Sequence, residues 1–133
     1  MTFSPGPRLR LEELMGQILL VEDETFIAEM IQDALEERGL QVKSANTDRG
    51  AYDILEGEAR SFSVLIADIN LGPGTTGFDV ARRARELHPE LKVVYITGHA
   101  AHLQKEGVEG SLMFPKPFYP DELADQVMAL IAL

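Results

Sequence analysis

The chain has 133 residues, no cysteine, 45% hydrophobic residues and a net charge of −10. That length argues one domain, and the absence of cysteine excludes disulfides and thiol chemistry. The acidic balance, with no Lys/Arg cluster to neutralise phosphates, argues against direct nucleic-acid binding.

No apolar run approaches the roughly 20 residues that span a bilayer, so no membrane association is expected. The chain lacks a charged-then-apolar start, which argues against a secretory signal. Together with the missing cysteines this fits a reducing cytosol and a cytoplasmic protein.

Residues 1–14 (MTFSPGPRLRLEEL) carry breakers at Pro5, Gly6 and Pro7, and LRLEEL suits only one or two helical turns. Residues 1–15 are read as an N-terminal extension and 16–133 as the domain. The strand QILLV follows, closed by Glu22 and Asp23. From Glu24 to Arg38, Ile27, Ile31 and Ala34 share one helical face, and Gly39 ends the helix. QVKSA (41–45) is a short strand. Thr47 caps a helix running to about Glu58.

SVLIADI is the third strand, closed by Asp68 within it, and residues 71–77 form a glycine-rich loop. Phe78 to His88 is helical, with Val80, Ala81, Ala84 and Leu87 at the right spacing and Pro89 just beyond. LKVVYIT is the fourth strand and ends in Thr97. Residues 100–106 read as a short helix stopped by Gly107. SLMF is the fifth strand, with Lys116 just after it. Pro120 opens the last helix, and Asp121 and Glu122 suit its N-terminus. Five strands alternate with five helices. The expected fold is therefore α/β, a doubly wound five-stranded parallel sheet.

Ligands of such sheets bind outside the carboxyl ends of the strands, at the switch point. Those ends carry Glu22, Asp23, Asp68, Thr97 and Lys116. Adjacent acids repel, and each raises the pKa of the other. A hard divalent cation such as Mg²⁺ resolves the conflict, because it takes oxygen ligands and needs only one or two direct carboxylates. Asp68 can add another oxygen. A carboxylate can also attack phosphorus and form an aspartyl phosphate. Lys116 then supplies positive charge for the transferring oxygens, and Thr97 a hydrogen bond. Gly98 leaves room for a phosphoryl group to approach the backbone.

These residues, in this order, resemble the receiver domain of bacterial two-component response regulators. The resemblance covers about residues 16–133 and rests on Glu22-Asp23, Asp68, Thr97-Gly98 and Lys116-Pro117-Phe118. It implies the flavodoxin-like strand order 2-1-3-4-5. It implies that a sensor histidine kinase or a histidine phosphotransfer protein donates a phosphoryl group to Asp68, and that Mg²⁺ is required. Asp23 and Asp68 would hold the metal by side chain and Asn70 by its backbone carbonyl, beside Glu22. It further implies a cis bond between Lys116 and Pro117. The chain is then a signalling phosphoacceptor that catalyses only its own phosphorylation and dephosphorylation. It is read as a stand-alone receiver that signals to a downstream protein target, and homodimer formation stays open.

Two features depart from the family pattern. Met113 stands three residues before Lys116, where the family usually has Tyr or Phe, and alternation turns Phe114 to the other face. The segment from Thr97 to Lys116 is short, so the helix within it should be stunted. Of the histidines, His99 and His102 sit three apart, but no further His or Cys supports a zinc site. His99 lies two residues after Thr97, at the rim of the site, and His88 stands apart.

Rival readings fit less well. An aspartate-nucleophile phosphohydrolase usually needs a second acid two residues after the nucleophile, where this chain has Asn70. A flavin carrier needs Ser, Thr or Gly after the first strand, where EDET repels phosphate. The unusual N-terminus keeps open a domain cut from a hybrid kinase.

Overall fold

The computed structural model describes residues 16–71, 76–98 and 106–132. The first strand, β1 (Gln17–Val21), leads into α1 (Thr25–Glu37). Strand β2 (Gln41–Ala45) and helix α2 (Asp48–Glu58) follow, with a single 3-10 turn at Ala59–Ser61 that the sequence reading did not foresee. Then come β3 (Phe62–Asp68), α3 (Gly77–Leu87), β4 (Lys92–Thr97), β5 (Leu112–Pro115) and α4 (Pro120–Ala132). All pairings are parallel and the strand order is β2-β1-β3-β4-β5, as expected.

Four α-helices lie among the described residues, where five were expected. The fifth, over 100–106, falls almost wholly outside the described residues, as does the extension 1–15.

The strands are apolar on both faces, because helices cover both sides of the sheet. Leu19, Leu65, Val93 and Tyr95 point to one side, against α2 and α3. Ile18, Leu20, Val64 and Ile96 point to the other, against α1 and α4. Met113 joins the first cluster and Phe114 the second, so the two side chains do lie on opposite faces. Phe114 meets Phe118 edge-on, with ring centres 5.4 Å apart.

Local signals set the helix starts. Thr47 caps α2, its side chain accepting from the Gly50 N–H at 3.0 Å. Thr76 and Asp79 form a reciprocal capping box at α3, which satisfies amides that the first turn leaves unpaired. Pro115 is tolerated in β5 because that strand is at the sheet edge.

The topology fixes the site. The chain leaves β1 toward β2, then crosses back to place β3 on the other side of β1. The carboxyl ends of β1 and β3 thus lie side by side at the switch point. Val21 is the register partner of Ala67, so the next residues, Glu22 and Asp68, emerge together.

Candidate functional site

Glu22, Asp68 and Thr97 are the buried polar residues among those described. Each stands where a core strand ends. Glu22 follows β1, and its backbone N–H donates to the Ala45 carbonyl at 3.1 Å. Asp68 is the last residue of β3, paired with Ile96. Thr97 is the last residue of β4, one position beyond Ile96. Its carbonyl accepts from the Lys116 N–H at 2.7 Å, which seats Lys116 at the same edge. The Lys116–Pro117 peptide is cis, as the family pattern implied.

The side chains converge. Lys116 Nζ lies 3.2 Å from Asp68 Oδ2 and 3.3 Å from Glu22 Oε1. Glu24, which the sequence reading did not single out, reaches within 3.9 Å of the same ammonium. Asp68 Oδ1 accepts from the Asn70 N–H at 2.9 Å. Glu22, Asp23 and Asp68 each offer a carboxylate oxygen, and the three atoms lie within 4.8 Å of one another. Asp23 is exposed, so the group opens to solvent on one side.

The electrostatics are unbalanced. Burial, then the neighbouring Asp68, pushes the Glu22 carboxyl up to about 8, although Lys116 pulls it down. Burial lowers the Lys116 ammonium, but Asp68 and Glu22 outweigh it and the net shift is upward. Among the described residues, Glu22 Oε2 is buried with no hydrogen-bond partner. A buried acceptor without a donor is costly. Three carboxylates and one orphaned oxygen, open to water at Asp23, fit a hard cation with oxygen ligands.

One close contact was not legible beforehand. The Gly77 N–H donates to the Ile69 carbonyl at 3.0 Å, and a Cβ on Gly77 would lie 2.3 Å from the Asp68 carbonyl oxygen. The Asp68–Ile69 backbone is thus clamped from outside by the start of α3. At Gly98 a Cβ would meet nothing within 4 Å, so the space is open there.

His88, the one histidine among the described residues, does not join the site. His88 caps the far end of α3 and lines a groove of about 680 Å³ with Arg60, Arg85 and Lys92. That groove includes the start of β4, at the opposite end of the sheet from the carboxylates, so its size does not make it the reactive site. His99 and His102 lie outside the described residues.

Comparison with known proteins agrees with this geometry. A family profile described as the response regulator receiver domain matches residues 18–128. The response regulator receiver protein CpdR of Brucella abortus is 32% identical over 120 residues, covering 88% of this chain and 98% of CpdR. A response regulator receiver protein from Sinorhizobium medicae superposes with a TM-score of 0.82 at 30% identity, covering 88% of this chain and 94% of that one. TrrA from Thermotoga maritima, solved in complex with Mg²⁺ and BeF, has a TM-score of 0.73 at 26% identity, with 86% and 98% covered. The chain belongs to the response regulator receiver domain family of two-component signalling.

Proposed function

We propose that this chain accepts a phosphoryl group on Asp68 from the phosphohistidine of a sensor histidine kinase or histidine phosphotransfer protein. One observation carries the reading: a buried carboxylate at the switch point, held by the Asn70 N–H on one oxygen and the Lys116 ammonium on the other. An Asp68 oxygen forms the new bond to phosphorus as the bond from phosphorus to the imidazole nitrogen breaks, and its electron pair stays on the imidazole. Lys116 faces the charge gathering on the transferring oxygens, and Thr97 offers them a hydrogen bond.

Asp23 and Asp68 would hold Mg²⁺ by side chain and Asn70 by its carbonyl, with Glu22 beside them. Mg²⁺, when bound, neutralises charge on the transferring oxygens. The solved complex of TrrA with Mg²⁺ and BeF supports this ligand class. Water later hydrolyses the phosphoryl group, and the signal passes on by protein–protein contact. Among the described residues no helix is long and apolar enough to cross a membrane.

Incubation with Mg²⁺ and acetyl phosphate tests the assignment. The parent should take up one base-labile phosphate, and Asp68→Asn none. Asp23→Ala should retain the fold, since Asp23 is exposed, yet bind Mg²⁺ at least tenfold more weakly by tyrosine fluorescence or NMR titration. Undiminished labelling of Asp68→Asn would sink the reading.

A further inference from the structure

Tyr95 is fully buried in the middle of β4. Its register partners are Ala67 on one side and Met113 on the other. Ala67 directly precedes the acceptor, and Thr97 lies two residues further along the same face of β4.

The ring and the hydroxyl of Tyr95 have different neighbours. The ring meets Phe78 edge-on, with centres 4.9 Å apart at 60°. Phe78 follows Gly77, which sits against the Asp68 carbonyl with no room for a methyl group. Gly77 is also hydrogen-bonded to Ile69. A displacement of the Asp68–Ile69 backbone therefore carries Gly77 and Phe78 with it, because close-packed contacts transmit strain.

At the other end of the side chain, the Val108 N–H donates to the Tyr95 hydroxyl at 3.1 Å. Val108 belongs to the connection that leads into β5. Val108 and Met113 both pack against the same core cluster as Tyr95. Met113 is flexible and makes no polar stop of its own. The hydrogen bond to Val108 is thus a directional tie between the buried sheet and this connection.

We propose that Tyr95 is a positioning residue whose hydroxyl, through Val108, couples the state of Asp68 to residues 106–113. The proposal rests on the reading of Asp68 as phosphoacceptor. It assigns the coupling to an interior tyrosine of β4, linked by Phe78 and Gly77 to the acceptor backbone. Residue 113, which carries no aromatic ring, is not required for it. A contiguous packed chain from the Asp68–Ile69 backbone through Gly77, Phe78 and Tyr95 to Val108 is its physical basis.

Tyr95→Phe separates the two parts. It keeps the ring against Phe78 and removes the acceptor of the Val108 N–H. Amide exchange and ¹⁵N shifts are read in parent and variant, with and without beryllofluoride and Mg²⁺. Acetyl phosphate labelling is measured on both proteins. The expected result is labelling within twofold of the parent. Val108 exchange should rise at least tenfold in the variant, and beryllofluoride-induced shifts over 106–113 should fall by more than half. Shifts around Asp68 should persist. A general packing defect would instead speed exchange throughout the core.

Equal beryllofluoride-induced shifts over 106–113 in the two proteins would overturn the proposal. So would Val108 exchange in the parent that is the same with and without beryllofluoride, a result that does not depend on how the variant folds. If the parent itself takes no label, the phosphoacceptor reading has failed, and that outcome is distinct from normal labelling with unchanged coupling.

Discussion

Lys116 Nζ stands 3.2 Å from Asp68 Oδ2, although the two residues are 48 positions apart in the chain. Glu22 shares the same ammonium at 3.3 Å. One cation therefore holds two buried carboxylates while it faces the proposed acceptor.

Lys116→Met removes that charge and keeps most of the apolar stem. Glu22 and Asp68 then lose their shared ammonium, while Asp68 keeps the Asn70 N–H; the cost is roughly 1–3 kcal/mol. The loss should be larger at pH 8 than at pH 5, where Glu22 can take a proton. Labelling by acetyl phosphate should slow at least tenfold, because the transferring oxygens lose a facing cation. Urea melts and initial labelling rates check both expectations. Equal rates for the two proteins would remove Lys116 from the chemistry.

The Glu22 carboxyl gives a pH signature. Its folded value is raised to about 8 from an ordinary value of 4.5. Between these values the folded state holds a proton that the unfolded state has released. Stability from this group is then complete below about pH 4.5 and is lost as the pH rises toward 8. Metal-free protein in EDTA should accordingly be less stable at pH 8 than at pH 5.5. Glu22→Gln should flatten that dependence, and Mg²⁺ should stabilise the parent most at the upper end. Glu56 and Asp79, whose carboxyls are held low by Arg83 and by the Thr76 N–H respectively, act only at lower pH. Urea melts across this range decide the matter, and a metal-free stability that climbs from pH 5.5 to 8 would contradict the assignment.

Gly77→Ala probes the clamp on the Asp68 backbone, the proposed acceptor. The new methyl group would sit 2.3 Å from the Asp68 carbonyl oxygen, closer than packing permits. Backbone must move, and overpacking of this kind costs roughly 1–3 kcal/mol. The displaced backbone is that of Asp68, so labelling should slow as well. Gly57→Ala serves as the control, since its Cβ would meet nothing within 4 Å. Similar effects from the two substitutions would show that the contact is not critical.

Much of this was legible in the sequence, for identifiable reasons. LLVED and LIAD are apolar runs closed by acids, and the switch-point rule brings such ends together. Glu22, Asp23, Asp68 and Lys116 duly meet, with the Asn70 N–H on Asp68. The two-residue period separated Met113 from Phe114 correctly. What escaped depends on contacts across the fold. Nothing in LGPGTTG reveals that Gly77 abuts the Asp68 carbonyl, and VYIT does not disclose that Tyr95 reaches Val108. The contrast between buried Glu22 and exposed Asp23 also needs the neighbouring strands. The spacing of Thr76 and Asp79 fits a capping box, but the glycines just before Thr76 mask it as loop.

The most direct test of the account is chemical mapping of the phosphorylated residue. Parent protein is labelled from a phosphohistidine donor with Mg²⁺, then reduced with borohydride, which converts an aspartyl phosphate to homoserine. Peptide mass spectrometry should find homoserine at position 68 and at no other acid. Homoserine at a different aspartate, or an acid-labile label on a histidine of this chain with Asp68 unmodified, would contradict it.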